Sequence, residues 1–191
     1  MKNSLFLILF LCSSVFVHAQ KKCTIDYEIV NDSTNVRKTN DVLVYEEIKE
    51  RGSNTLFFSL IKSDDNHFLH VQLIQKSQDF IPITCVNYRS IISFKLNNGR
   101  VLSTYYIGDE KCDTYIYDKE NKNNIRILST SFLLKTEDLQ YLKESPIEKV
   151  QVRYANQAIP YTIKKELEST QLEVNSQPSA FFIDNIPCLL Q

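Results

Sequence analysis

The sequence predicts a mainly β protein, or an α+β protein, in which hairpins build an antiparallel sheet or sandwich together with one or two short helices. Three observations lead to this fold class. Apolar and polar residues alternate along several segments, as half-buried strands require. Turn-forming residues separate consecutive segments, which is typical of hairpins. Long helical patterns between the strands are absent, and a parallel α/β sheet would need them.

Each predicted strand rests on one of these alternating runs. In the first run, Ile25, Tyr27 and Ile29 fall on one face. Ser63–Asn66 and the pair Asn98-Gly99 are turn sequences that join neighbouring runs into hairpins. The predicted strands are residues 24–30, 42–48, 55–62, 67–75, 90–96, 100–106, 125–134, 147–154 and 158–164, and polar composition predicts loops at residues 31–41 and 118–124.

One short helix is predicted between Thr136 and Pro146. Thr136 is a favourable N-cap, and the acidic residues that follow it complement the positive end of the helix dipole. Two leucines three residues apart would share the buried face of this helix. A second, weaker helix is predicted over residues 165–174. The apolar tail, residues 180–190, is expected to pack against the domain.

Residues 1–19 have the composition of an export signal. Lys2 supplies the positive start, Leu5–Val17 is mostly apolar, and Ala19 precedes the expected cleavage site. The alternative is an uncleaved membrane anchor, but the apolar run is shorter than the roughly 20 residues that span a bilayer. The mature protein is therefore expected to be a single β-rich domain, residues 20–191, that is secreted or periplasmic and has no membrane span.

The charge balance excludes one class of partner. The chain has 22 Lys and Arg against 23 Asp and Glu, and neither a basic stripe nor an acidic tail stands out. Nucleic-acid binding depends on clustered positive charge, so no nucleic-acid partner is predicted. Phosphate-binding loops need several glycines, so that the backbone can approach the phosphate closely. The chain has only 3 glycines, which argues against a nucleotide site. No cofactor is predicted.

The cysteines predict two disulfide bonds. Of the 5 cysteines, Cys12 lies in the export signal, so Cys23, Cys85, Cys112 and Cys188 remain. An even number in an oxidising compartment favours disulfides over free thiols, and four cysteines allow three pairings. No Cys-x-x-Cys spacing occurs, which argues against a zinc or redox site. No metal ligand is predicted.

The Asn98-Gly99 turn selects among these pairings. If it is a two-residue turn, Asn97 lies opposite Arg100. One face of the hairpin then holds Ile92, Phe94, Leu96, Val101, Ser103 and Tyr105. Carried outward without a bulge, the same register places Cys85 opposite Cys112, within disulfide reach, whereas a bulge or a longer turn would shift it by one residue. We therefore predict the pair Cys85–Cys112 and, by elimination, the pair Cys23–Cys188.

Three acidic residues near Cys112, namely Asp109, Glu110 and Asp113, could supply oxygen ligands to a calcium ion. Their spacing lacks the alternating Asp/Asn pattern and the spaced Glu of a calcium loop. They are interpreted as turn acids on a solvated loop.

Four tyrosines in the same region could form an aromatic binding platform: Tyr105, Tyr106, Tyr115 and Tyr117. Neighbouring residues of a strand point to opposite faces, so only Tyr115 and Tyr117 certainly share one. The four are interpreted as packing residues with solvated hydroxyl groups.

The mature chain retains two histidines, His67 and His70. Their surroundings predict a strand, in which this spacing places them on opposite faces. They are therefore not expected to bind one metal ion or to act as a catalytic pair. No Gly-x-Ser-x-Gly nucleophile motif occurs, and no catalytic residue is predicted.

Two stretches of the chain carry a family resemblance: SIISFKLNNGRVLSTYYIGDEKC and FLLKTEDLQYLKESPIEKVQVRYANQAIPYTIK. In order, the features are an export signal ending in Ala-Gln, a hairpin around Asn-Gly, a cysteine-bearing loop, and a leucine helix that leads into a strand. Over roughly residues 90–164 the chain resembles a diffuse group of uncharacterised secreted proteins from Bacteroidetes. The resemblance implies export and a β-rich domain, and it implies no catalytic residue.

Two functions from different classes are compatible with the sequence. The first is a non-catalytic exported module that binds a protein, a peptide or a cell-envelope component through a sheet face or edge. The second is a secreted or periplasmic hydrolase whose site is assembled from scattered residues such as His70, Asp109 and Tyr105. A deep pocket that joins those three side chains would favour the enzyme, and an unpaired sheet edge would favour binding.

Overall fold

The computed structural model describes residues 24–31 and 34–190, and this part of the chain is built mainly from antiparallel strands. The strands are β1 (Ile25–Asn31), β2 (Thr34–Thr39), β3 (Val42–Lys49), β4 (Gly52–Ser63), β5 (Asn66–Ser77), β6 (Cys85–Val86), β7 (Ile91–Leu96), β8 (Val101–Tyr105), β9 (Lys111–Cys112), β10 (Thr114–Asp118), β11 (Asn123–Leu134), β12 (Ile147–Arg153), β13 (Ala158–Thr162), β14 (Leu167–Ser169) and β15 (Val174–Ser176). The helices are α1 (Asp138–Glu144) and α2 (Phe181–Leu189). The export signal predicted at residues 1–19 lies outside the described residues.

Eleven of these strands form one continuous sheet. The order across it is β1-β2-β4-β5-β11-β8-β7-β12-β13, with β3 added beside β4 and β10 added beside β11. Strands β6 and β9 form a separate two-stranded ribbon, and β14 and β15 form another. The predicted fold class is confirmed, and of the two predicted architectures the single antiparallel sheet is the one observed.

The centre of the sheet follows the predicted alternation. On β4, Leu56, Phe58 and Leu60 are fully buried and point to the same face. They lie opposite apolar residues of β5, as in the pair Leu60↔Leu69. The predicted turn is confirmed, because Ser63 pairs with Asn66 and closes the hairpin.

The sheet curves strongly around its core. Phe58 lies on β4 and Phe94 lies on β7, which are four strand spacings apart in the sheet. In a flat sheet these spacings would separate the two strands by about 19 Å. The ring centroids are 6.3 Å apart in an edge-to-face arrangement. The two halves of the sheet therefore face each other across a common core.

Helix α2 fills the core between the two halves of the sheet. The ring of Phe181 lies 5.6 Å from that of Phe58, and the ring of Phe182 lies 5.0 Å from that of Phe94. Both α2 phenylalanines are 1% exposed. The prediction that the tail packs against the domain is confirmed. No helix of the described residues is long and apolar enough to cross a membrane.

The loop predicted at residues 31–41 is wrong, because much of this polar segment forms β2. The strand pairs with β1 on one side and with β4 on the other. Its polar side chains have partners: the Nζ of buried Lys38 donates to the carboxylates of Asp26 and Asp41, each at 3.0 Å. Backbone pairing on both edges and these ion pairs stabilise a strand that has no apolar periodicity.

The weaker helix predicted at residues 165–174 is also wrong. Strands β14 and β15 pair there as a short hairpin. Leu167 and Ser169 are buried while Glu168 is exposed, which is the period of a strand. The Ser169 hydroxyl donates to the Glu46 carboxylate on β3 at 2.9 Å. Packing against β3 therefore outweighs the local helix propensity.

Helix α1 occurs where it was predicted, and its two leucines, Leu139 and Leu142, are buried. The predicted N-cap is wrong. The helix begins at Asp138, after Glu137, and no side-chain capping bond forms. The carbonyl of Thr136 instead accepts the backbone N–H of Leu139 at 3.3 Å, as part of a turn that precedes the helix.

Candidate partner-binding surface

The β7–β8 hairpin differs by one residue from the predicted register. Its strands pair as Phe94↔Leu102 and Lys95↔Val101. The N–H of Leu96 donates to the carbonyl of Arg100 at 2.9 Å, so the turn between these two residues has three members, 97–99, instead of two. Gly99 has a φ of 82°, the left-handed conformation that a three-residue hairpin loop places at this position. The face that contains Ile92, Phe94 and Leu96 therefore holds Leu102 and Thr104, and the predicted set of Val101, Ser103 and Tyr105 is wrong.

The β6–β9 ribbon nevertheless brings the predicted cysteines together. Cys85 pairs with Cys112, and the two form a disulfide bond. Four residues, 87–90, link the ribbon to β7, whereas five residues, 106–110, link β8 back to it. The extra residue restores the register that the longer turn had shifted. The Cys85–Cys112 prediction is confirmed, although its assumption of an unbroken hairpin is wrong.

Cys188 on α2 is also disulfide-bonded. Its predicted partner, Cys23, lies outside the described residues, so the pair Cys23–Cys188 stays a prediction.

The three acidic residues near Cys112 do not share one site. The Asp113 side chain is 1% exposed and forms an ion pair with Arg126 at 2.6 Å. The carbonyl of Asp109 accepts the Tyr106 hydroxyl at 2.6 Å. The one group of potential metal ligands among the described residues adds Glu110 to the two disulfide cysteines, whose sulfurs are bonded to each other.

Asp113 and Arg126 hold residues 78–84, the loop after β5, against the sheet. Asp113 accepts the backbone N–H of Thr84 at 2.6 Å through its second carboxylate oxygen. The Nε of Arg126 donates to the carbonyl of Ile81 at 2.7 Å. Because the side chains of Asp113 and Arg126 are buried, water is largely excluded from the hydrogen bonds that they make to the loop. The loop is therefore fixed to β11 directly at Ile81 and, through Asp113, at Thr84.

Asn124 on β11 adds a further connection between the loop and β10. Its side-chain nitrogen donates to the carbonyl of Asp79 at 3.0 Å. Its side-chain oxygen accepts the hydroxyl of Tyr115 at 2.7 Å. The Arg126 guanidinium lies 5.3 Å from the Tyr115 ring centroid, within cation–π range. One strand thus positions both the loop and β10.

This arrangement presents a set of exposed apolar side chains that we call the aromatic edge: Phe80, Ile83, Tyr115, Ile116 and Tyr117. Phe80 is 81% exposed although the loop that carries it is hydrogen-bonded in place. The three β10 side chains are each about half exposed. Among the described residues, β10 pairs with β11 alone, so its outer edge is unpaired.

The packing part of the tyrosine interpretation is correct for one residue of the four, Tyr106, although its hydroxyl is bonded to the Asp109 carbonyl instead of being solvated. Tyr106 is 9% exposed and its ring packs edge-to-face on Phe132 at 5.7 Å. Tyr115 and Tyr117 share a face, as predicted, but both remain on the surface. Tyr105 is also exposed, with the Lys135 nitrogen 5.6 Å from its ring centroid.

The histidines lie on opposite faces of β5, as predicted. His67 is buried on the core face, and neither of its ring nitrogens has a hydrogen-bond partner. His70 lies on the other face, where its Nδ1 contacts the Ser131 hydroxyl at 3.0 Å and its Nε2 contacts the Ser129 hydroxyl at 3.1 Å. Burial lowers the pKa of both imidazoles, and Lys62 lowers that of His67 further.

His70 has no contact with the other residues of the hydrolase hypothesis. No hydrogen bond or ion pair in the described part of the chain joins His70 to Asp109 or Tyr105. Both imidazole nitrogens are occupied by serine hydroxyls, so neither is available to a carboxylate that would orient the ring as a catalytic base. The arrangement is a serine–histidine cluster without the third member of a triad.

Sequence reasoning missed most of the aromatic edge. Residues 114–118 were not predicted as a strand, although Thr-Tyr-Ile-Tyr consists of residues enriched in strands. Phe80 and Ile83 fall in a segment for which no element was predicted. Arg126 and Asn124 position this segment through contacts with residues about 45 positions away in sequence, so no pattern within a short segment indicates them. Comparison with known protein families, curated proteins and solved structures found no match to this chain.

Proposed function

We propose that this chain is a non-catalytic exported module that binds an extended segment of a protein partner along the outer edge of β10. The observation that carries the proposal is the unpaired edge of a strand with three successive exposed apolar side chains. The partner would be a protein of the cell envelope or of the surroundings, since the predicted signal at residues 1–19 and the resemblance to secreted proteins both favour a secreted or periplasmic location.

Main-chain hydrogen bonds would supply part of the affinity. A strand added to an exposed sheet edge pairs with the N–H and C=O groups that face outward there. Every second residue of β10 presents these groups to the outer edge. A partner segment about as long as β10 would therefore satisfy them in a geometry that the sheet already fixes.

The aromatic edge would supply specificity. Tyr115 and Tyr117 lie on one face of β10 and Ile116 on the other, so side chains of an added strand would contact tyrosine on one face and isoleucine on the other. Phe80 and Ile83 lie on the loop held by Asp113 and Arg126. Exposed aromatic residues on a rigid support are typical anchors of protein interfaces.

The two ends of the main sheet contrast with β10. β13 contains Pro160, which cannot donate a backbone hydrogen bond. β1 carries Asp26 and Glu28, and charge on an edge strand discourages pairing. β10 has neither proline nor lysine between Thr114 and Asp118. The one charged residue of β10, Asp118, is the last of the strand, so of these three edges β10 has the least such protection.

The test is selection of peptides from a displayed library on the mature protein. We expect selected peptides to be apolar and extended and to slow amide exchange in β10. Ile116→Lys should weaken their binding at least about tenfold, because lysine on an edge opposes pairing. The matched control is Ile48→Lys, which places the same charge at another exposed isoleucine.

The contact mode has its own test. N-methylation at alternate peptide bonds of a selected peptide removes the donors that an added strand needs, and it should abolish binding without changing any side chain. Equal binding by the methylated peptide, or protection of a different region from exchange, would contradict the proposal.

The alternative is the secreted or periplasmic hydrolase, for which the His70 contacts with Ser129 and Ser131 are the specific observation. A fluorophosphonate probe labels a serine that a histidine activates. We expect no labelling of either serine. Labelling that His70→Gln abolishes would favour the enzyme over the binding module.

A further inference from the structure

A surface cleft lies next to the disulfide ribbon, between the turn that precedes β7 and the turn that joins β12 to β13. Residues Ile91 and Tyr105, which pair with each other across β7 and β8, line it. One wall is the turn at residues 87–90 and the other is the turn at residues 154–157. The cleft has a volume of about 620 Å³, which is within the range of ligand-binding sites in proteins.

Both walls are held in place by backbone hydrogen bonds. In the first wall, the N–H of Ser90 donates to the carbonyl of Asn87 at 2.8 Å, and the N–H of Asn87 donates to the Ser90 hydroxyl at 3.0 Å. In the second wall, the N–H of Ala155 donates to the carbonyl of Cys85 at 2.8 Å. The disulfide-bonded residue is thus a direct support of the cleft.

The charge of the cleft is positive. Arg89 and Arg153 line it, and none of its lining residues is acidic. No carboxylate in the described part of the chain forms an ion pair with either arginine. Lys135 adds a third positive charge beside the Tyr105 ring. In a chain with nearly balanced charge, two guanidinium groups without a carboxylate partner in one cleft favour an anionic ligand.

The aromatic and amide groups of the cleft indicate which kind of anionic ligand it suits. Tyr88 is 74% exposed and stacks on the Arg89 guanidinium, whose Nε donates to the Tyr88 hydroxyl at 2.9 Å. Asn156 and Gln157 also line the cleft, and residues of these types have amide groups that match the donors and acceptors of a peptide. Arginine binds carboxylates through two parallel hydrogen bonds. These groups suit a peptide that bears aspartate or glutamate side chains.

We infer that this cleft binds an acidic peptide segment, with Arg89 and Arg153 contacting its carboxylates and Tyr88 and Tyr105 contacting its aliphatic parts. The inference does not rest on the proposed function, because the cleft and the aromatic edge have no residue in common. It assigns a second binding site of different chemistry to the same domain.

The experiment is a titration of the mature protein with an acetylated, amidated hexaglutamate peptide, followed by calorimetry and by amide NMR shifts. The matched probe is the corresponding hexaglutamine peptide. We expect the glutamate peptide to bind and to shift the amides of residues 87–91 and 154–158, and the glutamine peptide not to bind. Binding should weaken as the salt concentration rises.

The variant Arg89→Gln/Arg153→Gln should weaken hexaglutamate binding at least about tenfold, since both bidentate contacts are lost. The control is Arg100→Gln, at the far end of the β7–β8 hairpin, where the guanidinium lies 3.9 Å from the Tyr141 ring centroid. It removes one charge outside the cleft and should leave binding unchanged. Ile116→Lys should also leave it unchanged, which separates this site from the aromatic edge.

Several outcomes would overturn the inference. Equal binding of the two peptides, or equal binding by the double arginine variant when its circular dichroism and melting temperature match the parent protein, would exclude a carboxylate site. Tighter binding of an oligogalacturonate of equal charge at the same residues would assign the cleft to an acidic polysaccharide. Full competition by inorganic phosphate at equal concentration would assign it to a small anion.

Discussion

Cys85 and Cys112 lie directly opposite each other in a ribbon whose register differs by one residue from that of the hairpin it extends. The three-residue turn shifts the β7–β8 pairs in one direction. The segment 106–110 is one residue longer than 87–90, and this difference shifts the pairing in the β6–β9 ribbon back by one residue. Two irregularities of opposite sense therefore give the cysteine pairing that a regular hairpin would have given.

Replacing Cys85 and Cys112 with alanine should destabilise the protein. The disulfide joins residues 27 apart in sequence, and closing a loop of this length contributes roughly 3 to 4 kcal/mol in the chain-entropy model. The melting temperature of the double variant should fall accordingly. Peptide mapping of the unreduced parent protein is the direct check of the pairing, and a Cys23–Cys85 or Cys85–Cys188 peptide would contradict it.

Asp113→Asn should destabilise the fold and loosen the loop that carries Phe80. Removing one partner of a buried ion pair leaves the Arg126 charge poorly compensated, which costs about 3 kcal/mol or more. Urea unfolding measures the loss of stability, and amide exchange at residues 79–83 measures the loosening.

Glu148→Gln is the matched control for this substitution, because it breaks the ion pair between Lys95 and Glu148, both of which are nearly half exposed. A pair of this kind contributes less than about 1 kcal/mol. Equal losses from Asp113→Asn and Glu148→Gln would show that the Asp113 contact has no special structural role.

The stability of the protein should decrease in mild acid. The pKa values of His67 and His70 are lowered in the folded protein, mainly by burial, from an ordinary value of 6.5. Below that pH the unfolded chain binds protons that the folded protein excludes, so the free energy of unfolding falls as pH decreases. Above it, both states are neutral at these residues and the contribution is constant.

Urea unfolding between pH 7.5 and 5 measures this dependence. His67→Phe removes a buried imidazole whose nitrogens have no hydrogen-bond partner, so this variant should lose less stability between the two pH values than the parent. A parent protein whose stability is independent of pH across this range would show that the two imidazoles titrate normally.

Phe182→Ala should be among the most destabilising single substitutions. The side chain is 1% exposed and packs against Phe94 and Phe181, and truncating a buried phenylalanine costs about 3 to 5 kcal/mol. Leu190→Ala, just after α2, removes a side chain that is 52% exposed and should change stability little. Similar melting temperatures for the two variants would mean that α2 is not part of the core in solution.

N-terminal sequencing of the exported protein should give Gln20 as the first residue. The expected signal has a basic start, an apolar run and a small residue before the cleavage site. Recovery of membrane-bound protein that still begins at Met1 would support the uncleaved anchor instead.

Alternation along the chain determined the fold class, most strands of the central sheet and the opposite faces of His67 and His70. These properties depend on the two-residue period of a strand, which a short segment shows by itself. With Cys12 assigned to the predicted export signal, the four remaining cysteines also limited the disulfides to three pairings. The sequence did not identify β2, whose polar residues have no period, because its stability comes from pairing with two neighbouring strands.

Only the tertiary structure decided the register of the β7–β8 hairpin, the position of α2 in the core and the composition of both candidate sites. The position of α2 and the two sites depend on residues far apart in sequence: Arg126 with Ile81, Phe182 with Phe94, and Ala155 with Cys85. The β7–β8 turn also has such a contact, because the N–H of Asn98 donates to the hydroxyl of Ser145 at 3.1 Å. A local pattern cannot encode such a contact, since it forms only when the sheet curves and brings the two segments together. The exposed edge of β10 also depends on the tertiary structure. A strand lies at an edge only if no other strand of the folded sheet pairs with its outer side, and the sequence of the strand does not show this.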